Sequence, residues 1–426
     1  MKPVLKYLLA FSFMLLAFGS KAASILIPMD EVQKNHIKAY GIAFWVLKAD
    51  EELEWLLNYR GGSFLLAYNK KNEDECKIRG VSYEVVADAK TADLKAQIND
   101  PSVNMDIVKL QKAPHMAVYS PREGVQPSND AVIIALKYAE IPFDLIYDEE
   151  ILRGDLAKYD WVHLHHEDFT GQYSKENRGR NADKFLQTKA LFEATAKKFG
   201  FAKVSKMKLA VARSIREFCE GGGFLLAMCS GADSFDIALS AGNTDIVEEI
   251  YDGDGVDARA QSKLDYSQTF AFQNFNVVLS GFAQGRAGGR FSDIDVSNSR
   301  YVRQDEDFFT LFDFSAKWDV VPSMLTQNHD RVIKGFMGLA TAFNKSKLKS
   351  TVTIMGELKS ANEARYIHGE YGKGQWTFYG GHDPENYQYN QNEPPTDLAL
   401  HPNSPGYRLI LNNVLFPAAK KKKLKT

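Results

Sequence analysis

Cys229 closes the apolar run Phe224–Met228 and is followed at once by Ser230, Gly231, Ala232, Asp233 and Ser234. A strand that breaks into small residues ahead of a helix is the pattern of a nucleophile elbow. It exposes the turn residue and aims the next backbone N–H groups at a developing oxyanion. A helix N-terminus at this point also favours the thiolate form of a cysteine. A free cysteine that simply ends a buried strand fits the same run. A thiol nucleophile needs a histidine base, and the base needs a carboxylate to orient it. His382 and Glu385, with Asp383 between them, follow another apolar strand pattern, Gly374–Tyr379, and offer both groups. Asp383-Pro384 also reads as an ordinary turn with a capping carboxylate.

A second constellation is Trp161-Val-His163-Leu-His165-His166-Glu167-Asp168, three histidines and two carboxylates in six residues of a chain that has nine histidines in all. On a strand, His163 and His165 point to one face, a reach suited to two ligands of one divalent metal. Hydrogen-bonded histidines that bind a substrate, together with Asp168, satisfy the same spacing. Arg60–Ser63 and Tyr366–Gly369 read as turns. The aromatic residues Trp161, Tyr173, Trp376 and Tyr379 suit either sugar stacking or core packing.

These groups need a scaffold. Between Ser24 and Lys112 the pattern is mixed. Strands are expected at Ser24–Pro28, Gly41–Leu47, Trp55–Tyr59, Phe64–Tyr68 and Val81–Val86. Helices are expected at Asp30–Ala39, capped by Asp30, and at Ala92–Ile98, capped by Thr91. This predicts a small α+β domain over 24–112. Beyond Pro114 the rhythm changes. His115–Tyr119, Phe143–Tyr147, Tyr159–His165 and Phe224–Met228 read as strands, and Ser128–Ala139, Phe185–Phe199 and Ser205–Glu220 as helices. Such alternation predicts βαβ units and a parallel sheet over 113–419. Strands resume at Val332–Lys334, Thr351–Ile354 and Gly374–Tyr379, and Tyr407–Leu415 is a closing helix. Gln284–Gly289 reads as a loop, and so does Pro394–Pro405. In parallel sheets ligands bind beyond the carboxyl ends of the strands, which directs attention to Tyr119–Pro121, His163–Asp168 and Cys229–Ser234.

The chain begins with a basic segment, then an apolar run from Leu8 to Phe18, then small residues around Ala22 and Ala23. This is the tripartite pattern of a cleavable secretory signal over 1–23, and it predicts a periplasmic or secreted product. The run is shorter than the ~20 residues of a membrane-spanning helix, and no later stretch is long enough. Without residues 1–23 the chain carries 49 basic against 54 acidic residues. Five of the lysines crowd into 420–426, which reads as a solvated tail. The acidic body argues against a nucleic-acid partner. Three cysteines, an odd number, exclude a disulfide scaffold.

Cys229 after its apolar strand and the His382–Glu385 segment resemble the cysteine and His-x-Glu of class I glutamine amidotransferases. The region from about 113 to 419 is also similar to the ThuA-like branch of that fold, whose recurrent ending is matched by Gly372–His382. The elbow reads Ala227-Met-Cys-Ser-Gly231 in place of Gly-x-Cys-x-Gly, and the His-to-Glu spacing is one residue longer. Pro28–His36, Tyr59–Phe64, His163–Phe169 and His401–Gly406 resemble a group of exported bacterial proteins labelled asparagine synthetase B, over nearly the whole mature chain. The resemblance implies a flavodoxin-like parallel sheet with a small N-terminal α+β domain, and catalytic Cys229, His382 and Glu385.

Three functions follow as expectations. The first is an exported amidotransferase-like hydrolase or lyase on a small polar amide or sugar, with His163, His165, Asp168, Ser230 and Gly231 holding the substrate. The second is a non-catalytic periplasmic binding or scaffold protein. The third is glutamine-dependent asparagine synthesis, as the group's label implies. Against the third, the mature N-terminus carries no cysteine, and Ser230–Ser234 is one residue shorter than a Ser-Gly-Gly-x-Asp-Ser phosphate loop. Export also argues against ATP as a cofactor.

Overall fold

The computed structural model describes residues 23–121, 130–165, 167–173, 182–279, 291–296, 307–335, 342–386 and 394–420. Residues 1–22 of the expected signal segment over 1–23, the Gln284–Gly289 loop and the tail beyond Lys420 lie outside these residues. Lys420 itself donates its backbone N–H to Lys109 O at 2.9 Å. Among the described residues no helix is long and apolar enough to cross a membrane.

The fold is mixed α/β, with one small antiparallel sheet and one large mixed sheet. The small sheet holds β1 (Ala23–Ile27), β2 (Leu53–Leu57), β3 (Ser63–Ala67), β4 (Glu84–Ala87) and β5 (Asp106–Leu110), in the order β4-β1-β3-β2-β5. The period of two sorts its side chains. Ile25, Ile27, Trp55, Phe64 and Leu66 face helix α1 (His36–Lys48), while Leu26, Leu56, Leu65 and Val86 pack with Leu94 and Ile98 of α3 (Asp88–Asn99). Helix α2 (Lys70–Ile78) completes this region.

Helix α1 overturns two expectations. Gly41–Leu47 is helix, not strand, and the N-cap is Asn35, whose side chain accepts from Lys38 N, rather than Asp30. The reason is burial on nearly every side. Helix α1 lies between the two sheets, so apolar residues appear all round it and the helical stripe disappears from the sequence. Gly41 marks the tightest approach, since a Cβ there would lie 2.0 Å from Ala139 O.

The large sheet contains β6 (Met116–Tyr119), β7 (Asp144–Ile146), β8 (Trp161–Leu164), β9 (Phe224–Met228), β10 (Phe308–Leu311), β11 (Val332–Lys334), β12 (Phe343–Asn344), β13 (Thr353–Leu358), β14 (Glu363–Tyr371) and β15 (Gly374–Tyr379). Its order is β11-β10-β13-β14-β15-β9-β8-β6-β7, with β12 beside β14. Strands β7, β6, β8, β9 and β15 run parallel, and from β14 outward the pairing is antiparallel. The registers Tyr119↔Leu164, Leu164↔Ala227 and Met228↔Tyr379 bring four carboxyl ends to one edge. Tyr366–Gly369, expected as a turn, is the middle of β14 and wholly buried. Trp161, Tyr173, Trp376 and Tyr379 are buried core residues, which decides between their two readings.

Among the described residues eight helices accompany this sheet: α4 (Ala131–Tyr138), α5 (Asp148–Leu152), α6 (Ala182–Lys198), α7 (Val204–Gly221), α8 (Ser230–Ser240), α9 (Glu249–Asp252), α10 (Val320–Leu325) and α11 (Pro405–Leu415). Helix α11 is buried between the two sheets, and one apolar cluster runs through both. Arg408 on α11 is fully buried and donates to Met29 O at 2.8 Å and to Gly61 O. It also lies 3.1 Å from His329 Nδ1. His329 in turn stacks on His36, ring centroids 4.1 Å apart.

That stack predicts acid sensitivity. Burial, then the Arg408 charge, lowers His36 to about 3 and His329 to about 4, and burial lowers His368 to about 4. All three stay neutral in the fold at pH 5, whereas in the unfolded chain they protonate near pH 6.5. Stability is therefore fully present above about pH 7 and declines as pH falls toward 4. Each group contributes up to ~1.4 kcal/mol per pH unit in that window. Urea midpoints between pH 7.5 and 4.5 check this, and His36→Asn should remove one proton from the slope.

Candidate active site

Four strand ends supply the site. Residues following β6, β8, β9 and β15 converge beyond their carboxyl ends, where an α/β sheet binds ligands. Cys229 sits in the turn from β9 to α8 at φ 52° and ψ −140°. A side chain in the left-handed region of φ carries strain of order 1–3 kcal/mol, and such residues cluster at functional sites. The Cys229 N–H bonds to Tyr379 O at 3.3 Å, tying the turn to the end of β15. The residue is 2% exposed.

Helix α8 is fixed at both ends. Near its C-terminal half, Asp236 accepts from the backbone N–H groups of Phe270, Ala271 and Phe272 at 2.7, 2.8 and 2.9 Å. Burial lifts the Asp236 carboxyl to about 6 despite these donors. At the N-terminal end, Ser234 Oγ donates to Glu167 O at 2.9 Å, and Gly231 passes directly over the backbone of His165. Ser230 Oγ is buried and has no hydrogen-bond partner among the described residues.

His163 and His165 point to one face, as their spacing required. Both meet a single atom, Asp130 Oδ2, through His163 Nε2 at 3.3 Å and His165 Nδ1 at 3.1 Å. The other carboxylate oxygen of Asp130 caps α4, accepting from Val132 N at 2.7 Å and Ile133 N at 3.1 Å. His163 Nδ1 lies 3.1 Å from Leu226 O on β9. Burial works to raise the Asp130 carboxyl, but the two imidazoles overcome it and hold the group well below the usual carboxylate range. Burial lowers His163, with Asp130 opposing. The His382 ring arrives from the end of β15 and lies 4.4 Å, centroid to centroid, from that of His165.

The neighbouring residues have other partners. Asp383 accepts from Glu385 N at 2.8 Å, Thr396 Oγ1 at 2.8 Å and Tyr407 OH at 2.8 Å, so it pins the segment after β15 to α11. Glu385 pairs with His401 at 3.3 Å. Asp168 closes a local turn on Thr170, at 2.8 Å to N and 2.6 Å to Oγ1. His166 lies outside the described residues.

Asp130 was not singled out in the sequence. Its only local signal is an acidic residue immediately before the apolar run Ala131–Leu136, the mark of an N-cap. Its second role appears only once β6 and β8 are known to be neighbours. Also unforeseen is the polar cluster beneath the β8 end. Lys208 Nζ lies 2.9 Å from Asp148 Oδ2 and donates to Tyr119 OH at 2.9 Å, while Tyr147 OH donates to Glu167 at 2.8 Å.

No family model matches the chain, and no curated protein does. Among solved structures it is similar to Cytoplasmic Protein STM3548 from Salmonella typhimurium, at 11% identity and a TM-score of 0.35 over 72% of this chain and 100% of that one. Cytoplasmic Protein STM1381 from Salmonella typhimurium LT2 has 12% identity and a TM-score of 0.35 over 72% and 99%. Gan42B, a GH42 beta-galactosidase, has 12% identity and a TM-score of 0.26 over 65% of this chain and 29% of its own. At such scores these likenesses carry no argument about function.

Proposed function

We propose that this chain is an exported amidotransferase-like hydrolase or lyase that acts on a small polar substrate, an amide in the first instance, through Cys229 and His382. The observation that carries the reading is the backbone of Cys229, held at φ 52° between β9 and α8 while His382 and His165 reach the same edge from the adjoining strands. The parallel strands, numbered along the chain, stand in the order 2-1-3-4-5. That order supports a flavodoxin-like reading, in keeping with the resemblance to class I amidotransferases.

In this reading the Cys229 sulfur attacks the substrate carbonyl carbon, and His382 takes the thiol proton and delivers it to the departing amine. The Ala232 N–H is taken by Cys229 O at 3.1 Å, so the N–H groups of Ser230 and Gly231 at the start of α8 are the ones that face the developing oxyanion. Water then releases the acyl group. His165 and Asp130, rather than Glu385 alone, provide polar support beside the His382 ring. Export rests on the N-terminal pattern of the sequence.

The test is native-state alkylation with iodoacetamide. Burial pushes the thiols of Cys76 and Cys219 up to about 12, so both should stay unmodified in the folded chain. Cys229 should react well ahead of them. Reaction of Cys229 only after denaturation favours the binding or scaffold function, which its 2% exposure also suits.

A further inference from the structure

We infer that Asp130, His163 and His165 bind a divalent transition-metal ion. These three residues each offer one ligand atom, the atoms all lie within 4.8 Å of one another, and all three residues are buried.

The argument turns on His163. Its Nδ1 lies 3.1 Å from the carbonyl oxygen of Leu226, which only accepts, so Nδ1 carries the hydrogen. In the neutral ring Nε2 is then a lone pair. That lone pair faces Asp130 Oδ2, itself an acceptor, at 3.3 Å, with no hydrogen-bond geometry between them. Two buried acceptors pointed at each other are repulsive unless a cation, either a proton on Nε2 or a metal ion, stands between them.

The spacing suits such an ion. Metal–nitrogen and metal–oxygen bonds of about 2.0–2.2 Å put tetrahedral ligand atoms about 3.3–3.5 Å apart, and octahedral ones about 0.5 Å closer. The two distances to Asp130 Oδ2, 3.3 and 3.1 Å, fall between these limits. The outer contacts are also those of a ligand set. A metal-bound histidine characteristically donates its second nitrogen to a carbonyl or carboxylate, as His163 does to Leu226. Asp130 has its other oxygen fixed by two backbone N–H groups of α4, which leaves Oδ2 aimed at the imidazoles. Two imidazoles and one carboxylate favour zinc, iron, manganese or nickel over calcium. The remaining positions belong to water or substrate, beside His382.

A second acidic group, Asp245, Asp252 and Asp254, is of a different kind. Lys203 Nζ already lies 2.8 Å from Asp245, 3.1 Å from Asp252 and close to Asp254. The lysine supplies the cation there.

The inference does not depend on Cys229 being reactive, and its test reads the metal alone. The purified chain is stripped with EDTA and titrated with Zn²⁺ and with Co²⁺, followed by metal analysis, the visible Co²⁺ spectrum and thermal melting. The expected result is one tightly held ion per chain, a Co²⁺ absorption band and a raised Tm. His163→Gln should weaken binding at least tenfold, whereas Asp252→Asn leaves it unchanged. Imidazole ¹⁵N spectra of the unaltered chain give a readout that needs no variant: Zn²⁺ should shift Nε2 of His163 and spare its protonated Nδ1. No binding by the stripped chain, binding abolished by Asp252→Asn, or an unmoved His163 Nε2 signal overturns it.

Discussion

Lys208→Met should destabilise the protein by about 3–5 kcal/mol, the loss expected when one member of a buried ion pair is removed. Lys208 and Asp148 side chains are 2% and 1% exposed, with Nζ 2.9 Å from Oδ2. The ammonium also lies 4.6 Å from the ring centroids of Tyr147 and Phe192. Burial, with the nearby Asp148 and Glu167 carboxylates, pushes the Tyr119 and Tyr147 phenols well above their ordinary range, so both remain protonated donors. Methionine fills the space but, among the described residues, leaves the Asp148 charge with the Tyr119 hydroxyl alone, which donates to it at 2.5 Å. Adding Asp148→Asn removes that charge, so the double variant should regain most of the lost stability. Urea unfolding of wild type, single and double variants decides it. A single variant within 1 kcal/mol of wild type contradicts this description. The network also carries Glu167 through Tyr147, so the single variant should loosen the segment after β8 on which His165 sits.

Gly231→Ala should be nearly as damaging and more specific. A Cβ there would lie 1.8 Å from His165 O and 2.8 Å from its carbonyl carbon. Both obstacles are backbone, so the start of α8 must move away from the end of β8. Overpacking of this kind costs about 1–3 kcal/mol, and here it also parts Cys229 from the histidines. Gly374→Ala is the control. It meets Cys219 O at 2.1 Å and Gly223 O at 2.3 Å, at the opposite end of β15. Both variants should lower the urea midpoint, but only Gly231→Ala should abolish the preferential alkylation of Cys229. Equal effects of the two on alkylation would mean that the close contact at residue 231 positions nothing.

Much of the scaffold was legible because short apolar runs bounded by glycine are unambiguous as buried strands. Phe224–Met228, Val332–Lys334 and Gly374–Tyr379 are strands with the limits their sequences suggest. Legibility failed where burial is two-sided. In α1 and β14 nearly every residue is buried, so neither the helical nor the strand period survives. Of the site, the turn at Cys229 and the shared face of His163 and His165 follow from local spacing. Asp130 does not, since it joins the histidines only through the order of β6 and β8. Glu385 has its described ion pair farther along the chain. Three residues from His382 in sequence, it turns at Pro384 and meets His401. Nearness along the chain carries no direction.

The central claim is that Cys229 and His382 form one reactive unit at the carboxyl edge of the sheet. Alkylation rates at Cys229, mapped by mass spectrometry between pH 6 and 9 in wild type and His382→Gln, test it most directly. A thiolate supported by a neighbouring histidine should react readily near pH 7 and slow by about tenfold when that histidine is replaced. A Cys229 that resists alkylation until urea unfolds the chain, or reacts at the same rate in both proteins, would contradict the account.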